Sequence, residues 1–313
     1  MRRYRARIFT TCLLWLPPLL GILLLPAAGR AATVPARAAI LVNLDSGRVL
    51  YEKNADSPIP PASLTKIMTM YLALDAVKAR RLRLDTKIRV PAAAASVGGS
   101  SMHLHAGDSV PLVRLLAGMA VVSGNDAAMA VATRVGGDTR AFVRQMNGRA
   151  RSLGLDRTTF KNPTGLPAAG QKTSARDMMR LCRAYLKAHP SAMRFHGMRN
   201  FLHRGLSMRN TNALLGTMNG VDGLKTGWTV ASGYNLVVTA TRGKTRLLAV
   251  VLGAGNREQR DAAARQLLEA GFGAPRDPKK VEAALRSPRL ASAAGVGRAK
   301  SPAPRKGALT SAR

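Results

Sequence analysis

Apolar positions cluster at strand period near both ends of the chain and at helical period in between. Ala38 to Asn43 and Arg48 to Glu52 flank the turn Asp45-Ser46-Gly47 and predict a hairpin. Asp222 to Thr229, Tyr234 to Thr241 and Thr245 to Leu252 predict three more strands, the last two joined tightly by Arg242-Gly243-Lys244. Between these groups Leu64, Ile67, Met68, Tyr71 and Leu72 recur at helical spacing, which predicts a helix from Ser63 to about Lys78. Val113 to Val121, Asp126 to Val135, Thr139 to Leu153 and Ser174 to Ala188 continue the helical pattern, and Gly255 to Ala270 closes the domain as an amphipathic helix. Leu82 to Val90 reads as a short extended piece, and the chain beyond Met193 as mixed loop and extended segments. Val97 to Asp108 and Lys161 to Pro167 read as loops, the first of them beside a cleft. Strands that open and close a sequence around a helical block predict an α+β fold. It has an antiparallel sheet flanked by helices, an inserted all-helical lobe, and a cleft between the lobes.

The two ends differ from this body. Arg2, Arg3, Arg5 and Arg7 precede an apolar run from Ile8 to about Ala28, broken by Pro17, Pro18 and Gly21. That pattern predicts a signal peptide over residues 1–31 with cleavage near Gly29-Arg30-Ala31, hence an exported, periplasmic or otherwise extracytoplasmic protein. An uncleaved anchor is the alternative, because the run is near spanning length. The catalytic body is expected over 32–273, and the Ala, Pro, Ser, Arg and Lys composition of 274–313 predicts a disordered basic tail. Of the formal charge of +33, +20 falls on residues 33–275, so the body itself is basic. Such a surface suits electrostatic contact with an anionic wall or membrane. Aromatics make up 4% and none interleave with basic runs, so no platform for stacking bases is expected and nucleic acid is not an expected partner. Cys12 lies in the leader, which leaves Cys182 alone and predicts a buried, inert thiol. His103-Leu104-His105 has no carboxylate or thiolate cluster to complete a metal site, so neither metal nor other cofactor is expected.

Candidate chemistry begins at Ser63 and Lys66, three positions apart at a helix start and therefore on one face. A lysine desolvated in a cleft can lose its proton near neutral pH and serve as base to the serine hydroxyl. The plainer reading makes Ser63 a helix N-cap. Ser123-Gly124-Asn125 is a second candidate: Ser123 can relay a proton, and Asn125 can donate to a substrate amide carbonyl. It too is ordinary turn and N-cap chemistry when taken alone. The third is Lys225-Thr226-Gly227 on a predicted strand, where glycine lets a substrate backbone approach and lysine supplies a cation.

In this order and at these separations, the three motifs match the S-x-x-K, S-[DG]-N and K-T-G set of penicillin-binding proteins and serine β-lactamases. Pro61 to Thr69, Ser123 to Ala128, Phe160 to Leu166, Thr173 to Met178, Val221 to Gly227 and Ser232 to Leu236 resemble the low-molecular-mass D-alanyl-D-alanine carboxypeptidases. The resemblance covers roughly residues 38–273. It implies the serine β-lactamase and DD-peptidase fold, with peptidoglycan stem peptides as substrates and β-lactams as covalent inhibitors. It further implies that Ser63 attacks the carbonyl between two terminal D-alanines while Lys66 takes its proton, and that Ser123 bridges Lys66 and Lys225 to pass a proton to the leaving amine. The backbone N–H groups of Ser63 and Trp228 would form the oxyanion hole, and Lys225, Thr226 and Arg260 would hold the terminal carboxylate.

Better-known members carry a second, mainly β domain and a C-terminal amphipathic anchor, and neither is expected after Phe272. That brings the chain nearer to shorter members, some of them DD-endopeptidases that cut cross-links. Endopeptidase activity and a catalytically silent wall-binding role are the alternatives to a carboxypeptidase. Lys161 to Pro167 has no glutamate to activate water, so efficient β-lactam hydrolysis is not expected.

Overall fold

The computed structural model describes residues 34–287. The expected leader and the chain from 288 onward lie outside the described residues. In chain order the elements are β1 (Ala38–Asn43), β2 (Val49–Lys53), a 3-10 turn (Ala62–Leu64), α1 (Thr65–Lys78), β3 (Lys87–Arg89), α2 (Ala92–Ala95), β4 (Ser109–Pro111), α3 (Leu112–Val121), α4 (Asn125–Gly136), α5 (Thr139–Ser152) and α6 (Ala175–Ala188). There follow a second 3-10 turn (Pro190–Ala192), α7 (Met193–His196), β5 (Asn200–His203), β6 (Leu206–Arg209), β7 (Val221–Thr229), β8 (Gly233–Arg242), β9 (Thr245–Ala254), α8 (Arg257–Gly273) and α9 (Pro278–Arg286).

The main sheet is antiparallel with strand order β2-β1-β9-β8-β7. Its central strands are buried on both faces, which is why they read as nearly continuous apolar runs. Leu41, Leu236, Val238, Leu247 and Val251 meet Ala264, Leu267 and Leu268 of α8 on one side. Ile40, Val42, Val237, Leu248 and Val250 meet the helical lobe on the other. A small residue on the sheet-facing side of α8 brings the layers close: a Cβ on Gly271 would lie 2.8 Å from Leu41 and Leu247 side-chain carbons.

Helix α1 runs through the middle of the lobe. Residues 65 to 74 are all buried, so its apolar side chains surround the axis instead of forming one stripe. That burial makes it a rigid mount for whatever projects from its first turn. Helices α5, α6, α8 and α9 carry side-chain N-caps from Asp138, Ser174, Asn256 and Asp277. Cys182 is buried in α6 and burial pushes its thiol pKa up, in line with an inert role.

One sequence expectation needs correction. Disorder was expected from Ala274, yet 278–286 form α9, with Asp277 accepting from Lys280 N at 3.2 Å, Pro278 in its first turn, and Val281 and Leu285 buried. The two apolar residues, four apart, share one face and close over the sheet beside Leu50 and Leu268. The general composition of the segment concealed a single short amphipathic turn pattern.

Candidate active site

Ser63 sits in the 3-10 turn that feeds α1, immediately after Ala62, whose φ of +49° is a costly conformation for alanine. It is not the N-cap: that position is Leu64, and no side chain caps the helix. Instead Ser63 Oγ lies 2.9 Å from Lys66 Nζ. The ammonium of Lys66 is fully buried, and its other contacts are Asn125 Oδ1 at 2.6 Å and the Thr164 carbonyl at 2.7 Å. Both are pure acceptors, so they fix two N–H bonds of the amine. A neutral Lys66 would therefore point its lone pair at the Ser63 hydroxyl. Burial, and secondarily the positive charge of Lys225, holds the Lys66 pKa well below the usual lysine range.

The Ser-Gly-Asn turn also proves to be more than a cap. Ser123 has φ +65° and is buried, and its hydroxyl makes no hydrogen bond to protein. The expected bridge from Ser123 to Lys66 and Lys225 is thus not made in this structure. Lys66 has all three donor directions committed to Ser63, Asn125 and Thr164, and Lys225 Nζ donates to the Thr226 carbonyl at 3.1 Å. Asn125 Nδ2 donates to Gly98 O at 2.6 Å, and Asn125 N to Ser100 O at 2.7 Å, so the glycine-rich loop does border the site. Asp126 holds that loop in place, accepting from Ser101 Oγ, Met102 N and Leu104 N.

Strand β7 is the sheet edge that faces this serine. A Cβ on Gly227 would lie 3.0 Å from Ser63 N, so the strand can come this close because residue 227 has no side chain. The edge is closed upstream: Asn212 Nδ2 donates to Gly223 O at 3.2 Å, and His196 Nδ1 lies 3.2 Å from Leu224 O. From this strand Thr226, Gly227 and Trp228 border the cleft, a cavity of about 210 Å³ lined also by Ser63, Ser100, Ser123, Thr211, Tyr234, Arg257 and Arg260. Its wall carries cationic side chains, Arg257 and Arg260. Arg260 is buried and paired to Asp261 at 2.8 Å, while burial and the neighbouring Arg260 push Lys225 down to about 7.

All nine residues singled out in the sequence gather here, with Ser63, Ser123, Thr226, Gly227, Trp228 and Arg260 on the cleft wall and Lys66, Asn125 and Lys225 beneath it. Three contributors were not foreseen. Thr211 accepts from Thr226 Oγ1 at 2.8 Å and ties that strand to Val121 at the end of α3. Arg257 adds a second guanidinium to the wall. The Thr164 carbonyl belongs to a loop built by Asn162, whose Oδ1 accepts from Gly165 N at 2.7 Å and Thr164 Oγ1 at 2.9 Å. The signal for it was the sequence Asn162-Pro163-Thr164-Gly165 itself, a turn pattern whose function lies in backbone atoms.

The first two motifs meet at a buried lysine shared by a serine, an asparagine and a carbonyl, with the third on the strand beside them, and the model of the D-alanyl-D-alanine carboxypeptidase family matches residues 26–256. The chain belongs to this family. It is 43% identical over 249 residues to D-alanyl-D-alanine carboxypeptidase DacC of Escherichia coli, covering 77% of this chain and 62% of that protein. To DacF of Bacillus subtilis it is 39% identical over 242 residues, covering 76% and 62%. The chain thus spans about 62% of the length of these curated family relatives. Among solved family folds, penicillin-binding protein D2 of Listeria monocytogenes in its ampicillin-bound form superposes with a TM-score of 0.70 at 33% identity, covering 76% of this chain and 98% of that one.

Proposed function

We propose that this chain is a serine-type D-alanyl-D-alanine carboxypeptidase that removes the terminal D-alanine from peptidoglycan stem peptides. The observation that carries the reading is the orientation of Lys66: two fixed acceptors, Asn125 Oδ1 and Thr164 O, leave its lone pair for the Ser63 hydroxyl. In the forward step Lys66 Nζ takes the Ser63 proton as Ser63 Oγ bonds to the penultimate carbonyl carbon. The carbonyl oxygen gains negative charge and is met by the backbone N–H groups of Ser63 and Trp228. Collapse of the adduct breaks the C–N bond as Ser123, whose hydroxyl has no protein partner, gives its proton to the departing amine and takes in exchange the proton that Lys66 removed from Ser63. Water then attacks the ester, and Ser63 recovers its proton.

Thr226 and Arg260 on the cleft wall, with Lys225 beneath it, hold the terminal carboxylate, and Asn125 supports Lys66 behind the acyl group. An edge strand blocked at Gly223 and Leu224 favours a substrate that ends at this cationic wall over a cross-link that continues through it. The same nucleophile takes β-lactams as covalent inhibitors. The enzyme works outside the cytoplasmic membrane, exported by residues 1–31, and its basic body and tail keep it near the anionic envelope. Among the described residues no helix is long and apolar enough to cross a membrane.

The test is to incubate purified protein with defined monomeric and cross-linked muropeptides. Release of free D-alanine from pentapeptide monomers, abolished in Ser63→Ala, is the expected result. Cleavage of cross-links without D-alanine release would replace this reading with an endopeptidase, and no turnover of either would favour a silent wall-binding protein.

A further inference from the structure

Beyond Ser63 the edge of β7 leads to a second cavity, which the chemistry above leaves unused. It measures about 340 Å³, and Pro60, Gly165, Pro167, Ala168, Thr229 and Ala231 are among the residues that line it. Three positions along one strand order the two cavities: Thr226 on the wall with the arginines, Gly227 beside Ser63 N, and Thr229 in the second cavity. Gly165 meets the nucleophile from the loop side, since a Cβ there would also lie 3.0 Å from Ser63 N. A strand rises about 3.3 Å per residue, so Thr229 stands about 7 Å beyond Gly227. A peptide whose terminal carboxylate meets Arg260 and whose scissile carbonyl meets Ser63 therefore brings its next residue upstream, the one before the two D-alanines, to this cavity.

The wall offers that residue no charge and little free hydrogen-bonding capacity. None of the lining side chains is ionisable. Gln171 Nε2 donates to the Leu166 carbonyl at 2.8 Å and its Oε1 accepts from Lys161 N at 3.0 Å, while Thr229 Oγ1 donates to Ser232 Oγ and accepts from Ser232 N. The interior suits an aliphatic chain. The rim is different. Arg37, on the side of the β7–β8 turn, reaches the Ala231 carbonyl at 3.4 Å. Lys161, on the loop side, lies along Gly170, its Nζ 3.9 Å from where a Cβ would stand. Both cations are exposed, and neither pairs with a carboxylate among the described residues. An aliphatic stem that ends in an anion satisfies both regions, whereas one that ends in an ammonium meets two like charges.

We propose that this cavity is the subsite for the residue that precedes the two D-alanines, and that Arg37 and Lys161 select a side chain there ending in a carboxylate. The inference rests on the peptidase reading above and adds a substrate preference to it. Continuity along β7 decides the occupant: the cavity begins where the acyl part of the substrate leaves Ser63, and no other part of a peptide held by its carboxylate reaches it.

Release of D-alanine from four peptides of the form Nα-acetyl-Xaa-D-Ala-D-Ala tests this, with Xaa as L-α-aminopimelic acid linked through its α-carboxyl, its ω-amide, L-lysine or glycine. kcat/KM should be highest for the free ω-carboxylate, about fivefold lower for the amide, on the scale of two partly exposed ion pairs, and lower again for lysine. The difference should lie in KM, because these contacts are made equally in the bound peptide and in the transition state. Arg37→Gln/Lys161→Gln should bring the carboxylate-to-amide ratio close to one. Lys78→Gln/Arg80→Gln removes the same charge at the far end of α1, about 20 Å from Ser63 by helix rise, and should keep the ratio because charges that distant are screened. Ala168→Trp, which fills the cavity, should slow the aminopimelyl peptide more than the glycine peptide. Equal kcat/KM for carboxylate and amide, a ratio that survives Arg37→Gln/Lys161→Gln, or the same effect of Ala168→Trp on both peptides would each overturn the subsite, while D-alanine release from the glycine peptide leaves the peptidase reading standing. No release from any of the four would overturn that reading and the subsite with it.

Discussion

Asn125 Oδ1 accepts a 2.6 Å hydrogen bond from Lys66 Nζ across 59 positions of sequence, joining the helical lobe to the first turn of α1. A neutral acceptor here steers the amine without stabilising its charged form as a carboxylate would. Asn125→Asp should therefore raise the Lys66 pKa, since an adjacent opposite charge shifts a titrating group by about 1–3 units. Acylation by a labelled penicillin needs neutral Lys66, so its acid limb should move to higher pH. An unmoved limb in the pH profile would show that Asn125 does not set the state of the base.

Lys66→Ala should slow acylation by at least about a hundredfold, the scale of losing a general base. It also strips a donor from Asn125 and Thr164 in a buried site, so some loss of stability accompanies it. Circular dichroism and thermal melting separate the two effects. A folded variant that still acylates at the parent rate at neutral pH would mean that another group activates Ser63.

Gly165→Ala should be more damaging than its size suggests. Its φ is +86°, and a Cβ there would fall 1.8 Å from the Ala62 carbonyl oxygen, which is backbone and cannot swing away. The loop must withdraw from the nucleophile turn, taking the Thr164 carbonyl from Lys66. Loss of more than about 1 kcal/mol in chemical denaturation, together with slowed acylation, is expected. Parent-like values for both would show that the loop carbonyl is not part of the mechanism.

Lys225 gives a pH dependence of opposite sign. Burial and Arg260 place its pKa at about 7, so it is cationic below that pH and neutral above it. Recognition of a terminal carboxylate should weaken as pH rises through about 7, while Arg260 stays charged and preserves part of it. The alkaline fall in kcat/KM should appear with a carboxylate-terminated peptide and be absent with its amidated analogue, and Lys225→Ala should remove the difference. Identical alkaline limbs on both peptides would assign Lys225 to structure or proton transfer.

Which features were legible in the sequence follows from where the information lies. The α+β fold and every strand of the main sheet could be read because buried strands and the all-round apolar α1 leave strong periodic signals. Ser63, Lys66, Ser123, Asn125 and Lys225 could be singled out as candidates because side-chain identity at fixed spacing marks them, and the fold brings them together. The Thr164 carbonyl could not, since any residue supplies one and only the Asn162 turn aims it. Thr211 escaped for a different reason: a lone threonine in an irregular stretch has no periodicity, and its contact with Thr226 is made only by tertiary folding. The missing Ser123 bridge has the same origin, because the partners that take up Lys66 and Lys225, the Thr164 and Thr226 carbonyls, are backbone atoms.

The ninth helix also sets where the chain can be shortened. Asn43 Nδ2 donates to Pro275 O at 2.9 Å and Arg48 Nη1 to Arg276 O at 2.6 Å, leading into α9, whose Val281 and Leu285 are buried against the sheet layer. Each such side chain is worth about 1.5–3 kcal/mol, a large share of the roughly 5–15 kcal/mol that holds a domain together. Ending the chain after Phe272 should therefore lower the melting temperature and reduce active protein. Ending it after Ser287 removes six basic residues and no acidic one, and leaves α9 in place. That shorter cut should preserve both melting temperature and release of D-alanine from a soluble peptide, while lowering sedimentation with isolated cell wall at low salt. The difference should vanish at 1 M salt, where the Debye length shrinks to about 3 Å. Equal melting temperatures for the two truncations would show that α9 adds nothing to the fold, and unchanged sedimentation after the shorter cut would assign wall attachment to the basic body and α9 that remain.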